Sequence, residues 1–252
     1  MRVALAVNRV TDDIHANMAS ILKMASQAAE DRADLVLFPE AALTGLINDG
    51  DAVRDLPLGV EIPGPVTEVL AGSAKAHGVW LAIGLLEREG SCLYDSAILL
   101  SPDGDIVLKH RRIQPQWHAR DADPSVYRQG MELSKVETPL GSLAFVICGG
   151  LFDDDLVSRV RELKPDWLLF PFARCFDDFS WDQQRWDTEE LPEYVERVRL
   201  VGATAFMVNY LADSSLNGGS FGGAMVVSGE GKVIKSMPLG QEGILFVETE
   251  DR

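Results

Sequence analysis

Three reactive side chains stand at the ends of apolar runs in this sequence. Glu40 follows Leu-Val-Leu-Phe-Pro, Lys109 follows Ile-Val-Leu, and Cys148 follows Leu-Ala-Phe-Val-Ile. A thiol that reaches its thiolate form can attack an acyl carbon. A carboxylate beside it can take the thiol proton and hand it to a leaving nitrogen. An ammonium group can stabilise the tetrahedral oxyanion, a role worth roughly 3 kcal/mol per donor. Gly149 and Gly150 leave the far side of Cys148 unobstructed, so the Gly149 N–H can face that oxyanion. Taken singly, each residue has a plainer reading. Cys148 could be a buried core thiol, Glu40 a helix-start carboxylate, and Lys109 part of a solvated basic edge with Arg111 and Arg112. Taken together, in the order Glu, Lys, Cys, they specify acyl transfer through a thiol.

Such a set needs a rigid scaffold, and the chain supplies one. Short β-branched or apolar runs at residues 3–7, 35–38, 79–86, 143–147, 167–170 and 203–208 predict strands. Between them, residues 16–30, 65–77, 153–163 and 190–202 carry apolar side chains at helical spacing. Pro65 sits in a first turn and Gly78 supplies a stop. Two hairpins are expected, at residues 96–109 around Ser-Pro-Asp-Gly and at 224–236 around Gly-Glu-Gly. Strand ends in α/β architectures are where ligands bind, which suits all three residues. One α/β domain over residues 1–252 is the reading, with a hint of internal pseudo-symmetry.

Composition narrows the partners. With 39 acidic against 23 basic side chains the formal charge is −16, which argues against a nucleic-acid surface or docking on anionic lipid. The apolar start of the chain is too short for a signal peptide, and no run approaches a membrane span. Three widely spaced cysteines imply no disulfide framework, so the cytoplasm is the expected compartment. Asp153, Asp154 and Asp155 read as an acidic first helical turn, not a metal site, and neither a metal nor a cofactor is expected. Gly218-Gly-Ser220-Phe-Gly222 imitates a serine-hydrolase elbow but is followed by a strand and no later His, so it reads as a loop. Residues 109–120 hold Lys109, Arg111, Arg112 and Arg120 without an acid. That basic island suggests attraction of a small substrate bearing a carboxylate. Arg112, Trp117, Arg174, Cys175, Phe176 and Trp181 are the candidate pocket residues.

The motifs together resemble the nitrilase superfamily of carbon–nitrogen hydrolases over almost the whole chain. Leu-Phe-Pro-Glu40 with Ala-Leu-Thr-Gly45, Leu-Lys109-His, Val-Ile-Cys148, Asp166-Trp-Leu-Leu-Phe-Pro171, Val208-Asn209 and Phe221-Gly-Gly resemble six family blocks in order. The resemblance implies a four-layer αββα sandwich with two mixed sheets and a Glu40-Lys109-Cys148 triad. It also implies a cofactor-free amidase working through a thioester, and a homodimer or larger assembly. The sequence departs from the family after Cys148, where Gly149-Gly150 replaces an aromatic residue and an acid. Asp123 stands where a second, substrate-orienting glutamate is usual, with Tyr127 and Gly130 in matching positions. Nitrile or N-carbamoyl hydrolysis, or a catalytically silent binding protein on the same fold, are the alternatives.

Overall fold

The computed structural model describes residues 1–249 except Phe179, Asn217 and Gly218, so the first glycine of the 218–222 loop lies outside the described residues. Its strands in chain order are β1 (Arg2–Val7), β2 (Arg9–Val10), β3 (Leu35–Leu37), β4 (Trp80–Glu89), β5 (Cys92–Leu100), β6 (Ile106–Arg111), β7 (Lys135–Thr138), β8 (Gly141–Phe145), β9 (Trp167–Phe172), β10 (Thr204–Asn209), β11 (Leu211–Ala212), β12 (Ala224–Val227), β13 (Val233–Met237) and β14 (Gly243–Glu248). They form two six-stranded sheets, ordered β14-β1-β3-β4-β5-β6 and β13-β12-β10-β9-β8-β7, plus a small β11-β2 ribbon. Both large sheets are mixed. Each has a parallel centre, β1-β3-β4 in one and β10-β9-β8 in the other, flanked by antiparallel strands. The expected hairpins are β5–β6 and β12–β13.

Alternation along the strands divides most of the apolar side chains among three large cores, which is what four layers require. Leu5, Leu37 and Leu99 of the first sheet meet Phe145, Leu169 and Phe206 of the second. On its other face the first sheet turns Val36, Ile83 and Ile98 toward Ile21 and Ala25 of the helix Ile14–Glu30 and Leu70 and Ala74 of the helix Pro65–His77. The second sheet turns Leu168, Phe170 and Met207 toward Leu156 and Val160 of the helix Asp154–Leu163 and Tyr194 and Val198 of the helix Leu191–Val201. The layers are therefore helix, sheet, sheet, helix. Gly78 ends the helix Pro65–His77 in the left-handed conformation at φ 65°, and the Asp153 carboxylate caps the helix Asp154–Leu163 by accepting from the Leu156 N–H at 2.9 Å. No helix among the described residues is long and apolar enough to cross a membrane.

Candidate active site

Two strand ends deliver Glu40 and Cys148 to the same place. Glu40 follows β3 and is fully buried; Cys148 follows β8 and is partly exposed. The backbone at both positions is unusual. Ala41 has φ 47° and Cys148 has φ 43°, a left-handed conformation that side chains rarely adopt and that turns each residue sharply off its strand. Gly84 in β4 permits the first of these turns. Its N–H donates to the Pro39 carbonyl at 3.0 Å, and a Cβ there would lie 2.5 Å from both that oxygen and Glu40 Cα. Cys148 begins a short 3-10 turn, Cys148–Phe152, and lines a cavity of about 550 Å³ together with Arg112, Gln114, Gly149, Ala173, Arg174, Glu190 and Tyr194.

The cation beside Glu40 is Arg112, not Lys109. Arg112 Nη1 donates to Glu40 Oε1 at 2.7 Å and lies 3.5 Å from Asp95 Oδ2, while Nη2 donates to Gln114 Oε1 at 2.8 Å. Lys109 is three residues away, an odd number along an extended chain, and so projects to the opposite face of the sheet. There it pairs in register with Ile98, a helix-side core residue, and its Nζ donates to Glu87 Oε1 at 2.7 Å. Glu87 also receives Arg111 and the Ser96 hydroxyl. The expected Glu-Lys-Cys grouping is thus not brought together; a Glu40-Arg112-Cys148 grouping is.

Electrostatics separate Glu40 from an ordinary ion-paired carboxylate. Burial, and then the negative charge available at Cys148, push its pKa up to about 8 against the opposing pull of Arg112. Asp95, on β5, touches both Glu40 and Arg112 and is itself held well above the usual range, first by burial and then by Glu40. Arg112 stays charged, because Glu40, Cys148 and Asp95 outweigh the burial that works against it. Its Nε is buried and has no acceptor among the described residues.

Several expected residues fall elsewhere. Asp123 is exposed and folds back on its own turn, accepting from the Ser125 N–H at 2.8 Å and the Ser125 hydroxyl at 2.7 Å, which holds it below the usual carboxylate range. Trp117 is buried in a separate cluster with Leu86, Leu93 and Tyr127. Phe176 packs on Phe221 in the second sheet's helix-side core, and Trp181 is exposed over an outer groove near Gly240. Arg174 does line the cavity, where it forks onto the Glu190 carboxylate; the neighbouring Cys175 is half-buried, and burial pushes its thiol up. The basic island is largely answered by acids, since Lys109 and Arg111 meet Glu87, Arg111 also meets Glu89, and Arg112 meets Glu40 and Asp95. The sequence reading missed Asp95, Gln114, Glu190 and Tyr194. Asp95 carried a signal: in Cys-Leu-Tyr-Asp-Ser-Ala-Ile-Leu-Leu it shares parity with Ala97 and Leu99, which face the other sheet. Among the described residues no cluster of His, Cys, Asp and Glu could hold a metal ion.

Comparison with known proteins agrees with this architecture. The profile of the carbon-nitrogen hydrolase family matches residues 2–250, and the chain belongs to that family. A deaminated glutathione amidase of Dictyostelium discoideum is 23% identical over 99% of this chain and 87% of its own length. An aliphatic nitrilase of Sinorhizobium fredii is 31% identical, but over 55% of this chain and 49% of the nitrilase. The match therefore spans about half the length of that relative. Among solved structures, a carbon-nitrogen hydrolase from Helicobacter pylori superposes with a TM-score of 0.83 at 16% identity, covering 98% of this chain and 88% of the other. An amidase from Nesterenkonia sp. AN1, bearing a Michael adduct of acrylamide at its active-site cysteine, superposes with a TM-score of 0.81 at 20% identity over 99% and 93% of the two chains. These likenesses establish the nitrilase-type fold of stacked helix and sheet layers.

Proposed function

We propose that the protein is an amidase that releases ammonia from a small substrate through a thioester on Cys148. The observation that carries this reading is the contact between a buried Glu40 of raised proton affinity and a cavity-lining Cys148 next to a fixed positive charge. The thiol proton passes to Glu40 as Sγ bonds to the carbonyl carbon. The resulting oxyanion accepts from the unpartnered Nε–H of Arg112 and from the Gly149 N–H. As the C–N bond breaks, Glu40 gives the proton to the leaving nitrogen and ammonia departs. Water then attacks the thioester, with Glu40 taking its proton and returning it to sulfur, and the acid is released. Arginine does not give up its proton at ordinary pH, so Arg112 serves as charge and donor while Glu40 alone moves protons.

Both cavity arginines are already ion-paired, which favours neutral amides over the carboxylate-bearing substrates that residues 109–120 suggest. The local identity to nitrilases makes nitriles the second substrate class. The test is ammonia release from neutral amides, carboxylate-bearing amides, N-carbamoyl amines and nitriles, with intact mass reporting an acyl adduct. Turnover and adduct are both expected to vanish in Cys148→Ala. Turnover that survives this substitution overturns the mechanism, and silence across the panel assigns the fold to a binding role.

A further inference from the structure

Asp95 lies outside the roles assigned above, yet it is 1% exposed and packed against Glu40 and Arg112, which are 0% and 3% exposed. Two carboxyl groups therefore share one guanidinium in a nearly dry site. If both were ionised, one negative charge would be buried without an answering cation, a state that proteins relieve by taking up a proton. The hydrogen bonding leads to the same place. Glu40 Oε2 and Asp95 Oδ1 are buried, and neither receives an N–H or O–H from the described residues. Two carboxylates have nothing to donate to each other, whereas a carboxylic acid beside a carboxylate supplies the missing donor.

We propose that Asp95 is a positioning residue that carries a proton in the resting protein and donates it to Glu40, so that Arg112 is answered by one carboxylate and not two. This rests on the reading of Glu40 as the proton-transfer partner of Cys148. Asp95 is the donor of the pair because the bond between them raises the proton affinity of Asp95 and lowers that of Glu40. The other groups that face the pair do not compete for the role. Arg112 comes from the end of β6 and Cys148 from the end of β8. Tyr194 and Tyr210 are phenols whose ionisation is pushed up by burial, in the latter to about 12. Arg112 Nη1 and the Asp95 proton then hold the Glu40 carboxyl from two sides and fix its rotation toward the thiol. The Arg112 N–H, donating to the Asp95 carbonyl at 2.8 Å, ties the same two residues through the backbone.

The experiment follows alkylation of Cys148 by iodoacetamide as a function of pH, read by peptide mass, in the wild type, Asp95→Asn and Asp95→Ala. The Asn amide mimics a protonated Asp, so its profile is expected to match the wild type within about 0.3 pH units. Asp95→Ala removes the donor and is expected to move the midpoint by about one unit, tenfold in rate on the sloping limb. A shift of about one unit in Asp95→Asn is the result of deleting a charge, and it overturns the proposal. Infrared spectra of the wild type with carbon-13-labelled aspartate give a second reading that needs no variant. A protonated Asp carbonyl stretch near neutral pH is expected, and its absence also overturns the proposal. Alkylation and infrared spectra use no substrate, so a failure of the amidase reading alone would show as absent turnover with these results intact.

Discussion

The two faces of one sheet edge hold two clusters made from the same residue types, and they behave oppositely. On the helix-facing side, one carboxylate, Glu87, meets Lys109, Arg111 and Ser96. Burial alone would raise its pKa, but these hydrogen bonds outweigh burial and hold it below the usual range. On the side facing the other sheet, two carboxyls meet one Arg112, and burial wins. The difference lies in the count of donors against acids and not in residue chemistry. A satisfied acid is structure; an acid left short of donors keeps a proton and can do work.

Separating the clusters by activity gives the largest expected effect. Arg112→Ala should lower kcat/KM by about 100- to 1,000-fold through loss of an oxyanion donor, whereas Lys109→Ala should leave it within about threefold. Equal losses in both would return the triad to Lys109. Gly84→Ala should come next, because the three atoms nearest the added carbon are unyielding backbone of Pro39, Glu40 and Ala41. About 2 kcal/mol of stability and about 100-fold in kcat are expected to go together as Glu40 is pushed off its position.

Stability against pH sharpens the contrast further. The folded Glu40–Asp95 pair, with Glu40 raised to about 8, retains a proton that the unfolded side chains give up near 4.5 and 3.8. Between these values the unfolded state binds fewer protons, so the pair's contribution to stability falls as pH rises, by about 1.4 kcal/mol per unit for the one proton. Glu40→Gln removes that dependence. The Tm difference between Glu40→Gln and the wild type should therefore move in favour of the variant from about pH 5 to about 8. Glu87→Gln should do the opposite, costing about 1–3 kcal/mol near neutrality by leaving Lys109 and Arg111 without their buried partner. Its kcat should not change. The smallest effect belongs to Asp123→Asn, expected to stay within about twofold in both KM and kcat because that side chain serves its own turn. A selective rise in KM would bring Asp123 back into the substrate site.

The layers were legible because strands and helices announce themselves by local periodicity. The site was legible where chemistry coincided with a strand end, as for Glu40 and Cys148. The error at Lys109 came from weighing residue type above parity: Leu108 and His110 point one way, Lys109 and Arg111 the other, and Arg112 returns to the inner side. Asp95 was passed over because one acid in an apolar hairpin strand looks like a turn-proximal solvated residue until its partners, 55 residues back at Glu40 and 17 residues on at Arg112, are in view. Strand β14 was missed for a related reason, since its partner β1 lies at the other end of the described chain.

Gly149 has a bearing on how this site can change over generations. A Cβ at that position would lie 2.6 Å from Arg112 Nη2 and 2.7 Å from Gln114 Oε1, and the arginine cannot swing aside without abandoning Glu40. The two positions are thus coupled in space, and substitutions at them are expected to be coupled as well. A side chain at 149 is expected to be accommodated best once residue 112 is shortened, because the Arg112 guanidinium would otherwise have to shift. Random mutagenesis should recover new residues at 149 together with a smaller residue at 112, and rarely alone.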